Sequence, residues 1–509
     1  MDTIEFSLFV KRINAICEEM GSVLMRTAFS PNIKDRLDFS CAIFDAEGHL
    51  CAQAAHIPIH LGSMAYAMSG IVRQFTWQPG DMIILNDPYL GGTHLPDVTL
   101  IAPVFDENEL CGFVANRAHH ADIGASTPGS MPLARTLEEE GLIIPPTIIM
   151  RSGEILNDVL SALLDRLHNP HIARPDFIAQ ISANIAGLKR LELLISKMSV
   201  DAFKIALSAL NDYAASLARS VLSELPEGKY TYTDVMDDDG QGLVNIPIKV
   251  TLQITPEKVR VDFSGTADQV QGNINCPLSV TAAAVYYCFY CLMPPQTPAA
   301  AGVFQHLEIT VPEKSLLNAC YPAAVAAGNV ETSTRIVDVI LGALVQALPE
   351  KIPAASHGSM NNVAMGAGHW DYYETLGGGM GAGPLYAGLN AVQTHMTNTL
   401  NTPIEILEKH YPLRITQYAI RRNSGGAGLH KGGDGLIRQF EFLEESHVSL
   451  LTERRSHQPW GMNGGKSGLA AINLFNNIPV PGKTEFRVKP GDTLTIMTAG
   501  GGGWGNKQQ

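Results

Sequence analysis

The sequence predicts an α+β protein of several domains, in which β-rich layers are split by helical insertions. Its 509 residues suffice for two or more domains with ample core. Stretches with strand patterning occur on both sides of one long helical stretch near residues 176–223. From about residue 435 onward, short strand-like stretches alternate with glycine turns. Together these observations indicate helices inserted between separate β layers.

The N-terminal part predicts helices and strands in alternation. Apolar residues recur at helical spacing over 4–28 and predict a first helix. Strand patterning then predicts a hairpin around an Asp-Ala-Glu-Gly turn, followed by a short helix and further strands. The expected elements are the hairpin at 38–54, the helix at 61–75, and strands at 82–86, 98–105 and 110–117.

The later part divides at Leu225-Pro226-Glu227-Gly228, because proline and glycine end the helical stretch before strand patterning resumes. Strands are expected over 230–264, and a helix over 331–348. The closing TAGGGGWGNKQQ could pack against a neighbour or be loose. We therefore expect three regions: a β-rich region with the candidate metal site, a helical region and a mixed β/α region, at 1–175, 176–227 and 228–509.

The composition argues against several classes of function. The net charge of −14, without a Lys/Arg-rich run, argues against a nucleic-acid partner. No stretch approaches the roughly 18 apolar residues of a membrane helix, and the start lacks the pattern of a secretory signal. A cytoplasmic location is therefore expected. Only 17% of the residues are charged, which fits a large buried surface such as an oligomer provides.

Two short clusters, THLPD and HHAD, hold candidate metal ligands. An antiparallel hairpin of 98–105 and 110–117 would pair residue 98 with 117 and place 96 opposite 119. His94 and Asp97 would then lie on one rim beside His119. Imidazole nitrogens and a carboxylate suit Zn²⁺, Mn²⁺ or Fe²⁺, and three ligands leave positions open for substrate. The alternative is that these histidines only hydrogen-bond structural loops.

Three nearby residues could extend this site. His120 should face away from the ion unless a bulge intervenes, because neighbouring side chains on a strand point to opposite faces. Asp122 could orient a histidine through its second ring nitrogen. Asp38, at the start of another expected strand, could supply a fourth ligand.

The chain lacks the sequence of a nucleotide site of its own. No G-x-S-x-G elbow or dinucleotide fingerprint is visible. The run Gly464-Gly465-Lys466-Ser467 fails the P-loop spacing, because Trp460 stands where the motif needs a glycine. The residues therefore offer a candidate metal site and no nucleotide site.

Nine stretches spread along nearly the whole chain carry a family resemblance. They are RLDFSCAIFD (36–45), HIPIHLGSM (56–64), NDPYLGGTHLPDVTLIAPVF (86–105), NRAHHADIGASTPGSMP (116–132), GNVETSTRIVDVILGAL (328–344), HGSMNN (357–362), THMTNTLNTPIEILE (394–408), RRNSGGAGLHKGGDGL (421–436) and LLTERRSHQPWG (450–461). The chain resembles the hydantoinase B family, which includes the smaller subunits of ATP-dependent hydantoinases and lactamases, the C-terminal half of 5-oxoprolinase and the α subunits of acetone carboxylases.

The resemblance implies one divalent metal, held by residues like His94, Asp97 and His119. Hydrolytic members cleave cyclic amides together with a larger, ATP-binding partner, which is thought to phosphorylate the amide oxygen. The metal subunit then finishes the reaction, and a metal would help because it lowers the pKa of water from 15.7 to about 7. Carboxylase members instead join a phosphorylated ketone enolate to carboxyphosphate or CO₂.

Further roles follow only from placement. His120, Asp122 or Glu374 could act as general base or orienting group. His395 and Asn398, with Thr397, could line a substrate channel or could satisfy buried backbone groups. For Glu331 we favour electrostatic capping of the following helix over contact with substrate.

The leading hypothesis is the metal subunit of an ATP-dependent cyclic amidohydrolase acting on a hydantoin, 5-oxoproline or lactam ring. The expected partner is a hydantoinase A-like ATP-binding subunit, in a hetero-oligomer built on a dimer of this chain. The alternative is the α-type subunit of an ATP-dependent ketone carboxylase, which the length of 509 residues disfavours because those subunits are longer. A non-catalytic scaffold, a third class, would bind no metal.

Overall fold

Helices and four β-sheets make up the part of the chain that this computed structural model describes, residues 2–54 and 57–506. His56 of the HIPIHLGSM stretch and residues 507–509 of the tail lie outside it. The helices are α1 (Thr3–Thr27), α2 (Pro31–Lys34), α3 (Pro58–Val72), α4 (Asn157–Leu164), α5 (Pro170–Met198), α6 (Val200–Ser223), α7 (Leu278–Tyr290), α8 (Ser333–Ala347) and α9 (Ile404–His410). The α+β prediction is confirmed.

The strands of the four sheets are mostly short. In chain order they are β1 (Phe39–Asp45), β2 (Leu50–Gln53), β3 (Met82–Leu85), β4 (Asp97–Asp106), β5 (Glu109–His119), β6 (Thr147–Arg151), β7 (Glu154–Ile155), β8 (Gly228–Asp238), β9 (Val244–Ile254), β10 (Val259–Asp262), β11 (Leu307–Thr310), β12 (Asn362–Ala367), β13 (Trp370–Glu374), β14 (Leu413–Arg421), β15 (Gly435–Phe442), β16 (Ser446–Leu451), β17 (Ile472–Phe475), β18 (Ile478–Val480), β19 (Lys483–Val488) and β20 (Thr493–Met497).

The N-terminal sheet has the strand order β2-β1-β5-β4-β3-β6-β7, so the expected hairpins β1–β2 and β4–β5 are neighbours in it. The other sheets have the orders β11-β10-β9-β8, β13-β12-β16-β19 and β14-β15-β20-β17-β18. The strands β10 and β11 pair in parallel. Helices α1 and α5 pack together, and α5 also covers β4 and β5.

The predicted register of the β4–β5 hairpin is wrong by one residue. Near the turn, Phe105 pairs with Leu110 as expected, but Val104 pairs with Gly112, because a β-bulge at Cys111 absorbs one extra residue. Beyond the bulge, Asp97 therefore lies directly opposite His119.

The helical stretch predicted to begin at 176 is two helices, α5 and α6, of which α5 begins earlier, at Pro170. Proline suits the first turn of a helix, because the N–H groups of that turn have no partner within the helix and proline therefore loses no hydrogen bond there. The break falls at Ser199, whose φ of 76° lies in the left-handed region, and whose hydroxyl caps α6.

One large hydrophobic core includes residues from Phe9 in α1 to Leu451 in β16, so the N-terminal sheet, the helical pair and later elements share it. The division into regions 1–175, 176–227 and 228–509 stays a prediction. None of the helices in the described ranges combines the length and apolar character needed to cross a membrane.

The glycine-rich tail packs inside the chain's own fold, which neither sequence-based alternative anticipated. The N–H groups of Gly501 and Gly502 donate to the carbonyls of Gly433 and Ala355, at 2.9 and 2.8 Å. Any Cβ atom at position 501 would lie 2.1 Å from the carbonyl oxygen of Met380. Only glycine therefore allows these backbone segments to approach so closely.

Candidate metal centre

His94, Asp97 and His119 converge at one end of the β4–β5 hairpin, as the sequence predicts. Asp97 begins β4 and His119 ends β5. His94 reaches the same rim through a turn in which the N–H of Asp97 donates to the carbonyl of His94 at 3.1 Å. All three residues are buried, with no more than 2% of their surface exposed.

The loop that carries His94 is held by neighbouring buried groups. Asn86 donates to the carbonyl of Leu95 at 2.8 Å, and Arg117 donates to the carbonyl of Gly91 at 3.1 Å. Gly91 has a φ of 110°, a backbone conformation that residues other than glycine rarely adopt. The shape of the loop before His94 therefore requires a glycine at position 91.

The ligand atoms have the spacing that a shared ion requires. The Oδ1 atom of Asp97 lies 3.1 Å from Nε2 of His94 and 3.3 Å from Nδ1 of His119. Bonds of about 2.0–2.2 Å to one ion would hold neighbouring ligand atoms about 3.0–3.5 Å apart. The three groups offer ligand atoms that all lie within 4.8 Å of one another.

Several of these buried atoms have no hydrogen-bond partner among the described residues. They are both ring nitrogens of His94 and Oδ1 of Asp97. The outer ring nitrogen of His119, Nε2, which is not the one that faces Asp97, is also unpaired. An unpaired buried polar atom is costly, so such a group calls for an explanation. The other carboxylate oxygen, Oδ2 of Asp97, accepts from Thr93 Oγ1 at 2.6 Å and Asn329 Nδ2 at 3.3 Å. The donor set and its unpaired atoms therefore fit a divalent metal.

The charge states also suit a metal. Burial opposes ionisation of Asp97, but the adjacent His94 and His60 outweigh it and hold the pKa of the carboxyl well below its usual range. Burial lowers the pKa of His119, although the Asp97 carboxylate opposes the shift, so the imidazole is neutral at neutral pH. A carboxylate and a neutral imidazole are the forms that bind metals.

His60 belongs to this cluster, and the sequence analysis missed it. Its Nε2 atom lies 3.3 Å from Oδ2 of Asp97, and its Nδ1 atom lies 3.4 Å from the Ser40 hydroxyl. His60 is in the quoted HIPIHLGSM stretch, on α3. No spacing relates it to the hairpin, because only the packing of α3 against the sheet brings it there.

Asp38, the predicted fourth ligand, lies beside the cluster. Its carboxylate is 3.7 Å from Arg36 Nη2 and 4.0 Å from His60 Nε2. Its backbone carbonyl accepts from the N–H of His119 at 3.0 Å. Asp38 is outside the set whose ligand atoms converge within 4.8 Å. Its role as a ligand stays a prediction.

His120 and Asp122 face other partners. His120 points away from the ion site as expected, with Nε2 2.9 Å from Oε1 of Gln180 on α5. The Asp122 carboxylate accepts backbone N–H groups of Gly124 and Asn169, at 2.9 and 2.7 Å. The histidine beside Asp122 is His168, at 3.3 Å, and not a residue of the cluster. Both His120 and Asp122 line a cavity of about 750 Å³.

Glu374, the third predicted catalytic residue, is committed to a buried ion pair. Its carboxylate lies 2.9 Å from Nε of Arg438 and accepts from Asn401 Nδ2 at 2.9 Å. Both partners of the pair are fully buried. These are the contacts of a buried ion pair, and the catalytic role of Glu374 stays a prediction.

The predicted substrate residues are His395, which is half-buried, and Asn398, which is exposed. Nδ1 of His395 lies 3.3 Å from the Tyr287 hydroxyl. Within the described part of the chain, Nε2 of His395 and both ring nitrogens of His357 have no hydrogen-bond partner. Burial lowers the pKa of His357 to about 3, and the neighbouring His395 adds to the shift.

Glu331 lies in a π-helical turn, Gly328–Thr332, directly before α8, and no side chain of the described residues makes a capping hydrogen bond at the start of that helix. Electrostatic capping of α8 by Glu331 stays a prediction. The buried Glu331 carboxyl accepts from the N–H of Met360 at 3.0 Å and from Asn362 Nδ2 at 2.8 Å.

The sequence of this chain matches a known protein family. The sequence model described as hydantoinase B/oxoprolinase matches residues 2–507. An uncharacterised protein of Methanocaldococcus jannaschii is 40% identical over 99% of this chain and 91% of its own length. The 5-oxoprolinase 1 of Arabidopsis thaliana is 40% identical over 99% of this chain, but this chain spans only 42% of that relative.

A solved structure extends the comparison. The crystal structure of the ATP-dependent caprolactamase from Pseudomonas jessenii superposes with a TM-score of 0.92 at 26% identity, over 99% of this chain and 91% of that chain. The match of the family model over nearly all residues, together with these likenesses, means that the chain belongs to the hydantoinase B/oxoprolinase family.

Proposed function

We propose that this chain is the metal-binding subunit of an ATP-dependent cyclic amidohydrolase, which opens a hydantoin, 5-oxoproline or lactam ring after a partner has phosphorylated it. The observation that carries the proposal is the buried convergence of His94, Asp97 and His119 with their unpaired ligand atoms. The names of the relatives, a 5-oxoprolinase and an ATP-dependent caprolactamase, support the substrate class.

His94, Asp97 and His119 would hold one Zn²⁺, Mn²⁺ or Fe²⁺ ion, which would polarise the scissile carbonyl and lower the pKa of water near it. Thr93 and Asn329 hold Oδ2 of Asp97, so that Oδ1 stays free to face the ion. Because the three side chains are buried, the site would exclude bulk water, which would protect an activated substrate from side reactions.

His357 and His395 are proposed to bind the polar atoms of the ring. Both rings have buried ring nitrogens without a partner among the described residues. A neutral imidazole offers one donor and one acceptor, which complement the C=O and N–H groups of a cyclic amide. Asn398, which is exposed and lies three residues after His395, is also proposed to contact the substrate.

The phosphorylation step is assigned to a hydantoinase A-like partner that binds ATP. The sequence of this chain has no P-loop, since Trp460 occupies a position that requires glycine. This chain also spans only 42% of a 5-oxoprolinase, which leaves room in that longer protein for another function. We propose a hetero-oligomer built on a dimer of this chain, and a cytoplasmic location.

The test compares the lone chain with the complex formed with its ATP-binding partner. Each sample receives Zn²⁺, Mn²⁺ or Fe²⁺, ATP and a ring substrate: hydantoin, 5-oxoproline or caprolactam. We expect ring opening only with the complex, metal and ATP together. Ring opening by the lone chain would contradict the division of labour. Carboxylation of acetone by the complex without ring opening would favour the ketone carboxylase instead.

A further inference from the structure

Tyr373 links the candidate metal centre to a chain of buried polar side chains that the proposed mechanism leaves unused. Its ring stacks on the imidazole of His119, with the ring centroids 4.4 Å apart and the planes inclined by 9°. Its hydroxyl donates to Oδ1 of Asn362 at 2.6 Å. The guanidinium of Arg36 lies over the Tyr373 ring at 4.9 Å and donates to the Tyr373 carbonyl at 2.9 Å.

Asn362 passes this contact on to Glu331. Its Nδ2 atom donates to Oε1 of Glu331 at 2.8 Å and to the carbonyl of Leu451 at 2.9 Å. Asn329, on the same π-helical turn as Glu331, donates to Asp97. The turn Gly328–Thr332 therefore touches the cluster directly through Asn329 and indirectly through Glu331, Asn362 and Tyr373. Unusual π-helical turns of this kind are frequent at functional sites.

The stacking on Tyr373 matters because His119 lacks the usual means of orientation. A histidine that binds a metal almost always donates its second ring N–H to a carboxylate, a carbonyl or water. Here Nδ1 of His119 faces Asp97, while Nε2 is buried without a partner among the described residues. Two ring contacts then help to define the plane of the imidazole: the stacked Tyr373 and the edge of His94, whose ring centroid lies 5.1 Å away.

We propose that Tyr373 is a positioning residue of the metal centre: its ring holds the imidazole of His119, and Asn362 and Glu331 hold Tyr373 through its hydroxyl. The proposal rests on the proposed function in one respect, namely that the centre binds a divalent metal. Tyr373 acts through His119 and needs no contact with the ion or the substrate.

The adjacent Tyr372 provides a matched control. Both tyrosines lie on β13 and are 1% exposed, but Tyr372 packs against Tyr411, with ring centroids 5.0 Å apart. Neighbouring residues of a strand face opposite sides, so Tyr372 should not contact the centre. Loss of either ring would leave a similar cavity in the core, and a purely structural effect should be alike in both.

The test measures Co²⁺ and Zn²⁺ dissociation constants and the visible spectrum of bound Co²⁺ in the purified full chain. Tyr373→Leu should raise the dissociation constants about 10- to 100-fold, the usual cost of losing an outer partner of a ligand, and should change the cobalt spectrum. Tyr373→Phe, which keeps the ring, should have a smaller effect. Glu331→Ala should resemble Tyr373→Phe, whereas Glu331→Gln keeps the acceptor and should stay close to wild type.

Two results would overturn the inference alone: wild-type affinity and cobalt spectrum in Tyr373→Leu, or an equal loss of affinity in Tyr372→Leu. Thermal melting of every variant identifies one that fails to fold, in which case Tyr373→Phe and Glu331→Ala decide, because wild-type affinity in both would overturn the inference. Absence of Co²⁺, Zn²⁺, Mn²⁺ and Fe²⁺ binding in the wild type would overturn the proposed function as well, so the two failures are distinguishable.

Discussion

Asp97 and His119 face each other as directly paired residues of β4 and β5, and Nδ1 of His119 lies 3.3 Å from Oδ1 of Asp97. These two candidate ligands lie on paired strands, so the backbone ladder fixes their relative positions. The third candidate ligand, His94, comes from the loop before β4. Because each side chain has a fixed place in this arrangement, the effect of replacing a single residue can be predicted.

The first prediction concerns metal content. The purified chain should carry about one divalent ion, and His94→Ala/His119→Ala should carry none, because only one strong ligand remains. Elemental analysis measures this. His120→Ala is the matched control, since His120 adjoins the cluster but contacts Gln180. Equal metal in the double variant and the wild type would refute the ligand assignment.

The second prediction separates the two half-reactions. In the complex with the ATP-binding partner, His94→Ala should abolish ring opening, because the metal is proposed to act after phosphorylation. Substrate-dependent ATP turnover should persist, because the partner's site is intact. Product and released phosphate are measured in the same reaction. Ring opening at the wild-type rate would exclude a metal-dependent mechanism at this centre.

The third prediction concerns pH. Burial raises the pKa of Glu140 to about 8, although its carboxyl accepts the N–H groups of Val325 and Ala326 at 2.9 and 2.8 Å. The pKa of Glu140 in the folded protein therefore lies above its value in the unfolded chain, about 4.3. The free energy of unfolding that protonated Glu140 contributes is fully present below about pH 4.3 and is lost as the pH rises through about 8.

Within that window, Glu140 should lower the free energy of unfolding by about 1.4 kcal/mol for each unit of rising pH. Denaturant unfolding at several pH values between 5 and 8 measures it. Glu140→Gln cannot ionise and should flatten the curve. An unchanged slope in this variant would show that the Glu140 carboxyl is ionised in the folded protein.

The fourth prediction tests Glu374 as a structural residue. Glu374→Gln should destabilise the protein by about 3–5 kcal/mol, because it leaves the buried Arg438 without its counter-charge. Glu374→Gln/Arg438→Gln should be less destabilised than the sum of the two single variants. Denaturant unfolding measures both. A stable Glu374→Gln protein without ring-opening activity would instead support the catalytic role.

The fifth prediction concerns the glycine-rich segments. Gly501→Ala should destabilise the fold by about 1–3 kcal/mol, because the new Cβ would lie 2.1 Å from the Met380 carbonyl oxygen. Gly368→Ala is the control, since nothing lies within 4 Å of its added Cβ. The control should change stability by less than about 0.5 kcal/mol. Equal melting temperatures for both variants would contradict the close packing.

The sequence predicted those parts of the site that depend on local patterning. The β4–β5 hairpin was expected from strand periodicity, and it brings Asp97 and His119 together. The register was wrong because a bulge at Cys111 leaves no mark in the apolar pattern. His60 and Tyr373 were missed for a different reason. They reach the cluster from α3 and β13 through packing between distant segments, which periodicity does not encode.

The outcomes for charged residues have a similar cause. Glu374 and Glu331 were assigned roles from their neighbours in sequence, but their partners, Arg438 and Asn362, come from other segments. A buried carboxylate needs a specific partner, because an unpaired buried charge is costly. The sequence alone does not show which residue that partner is.

The packing of the tail has a consequence for the order of folding. Gly501 meets Met380 and Gly433, segments that lie about 120 and 70 positions earlier in the chain. The loops at 380 and 433 can complete their backbone pairing only after residues near 501 have emerged from the ribosome. Closing such long loops is slow compared with forming a hairpin such as β4–β5. The β4–β5 hairpin, with its two candidate ligands, should therefore form early in synthesis, and the glycine-rich region should pair last.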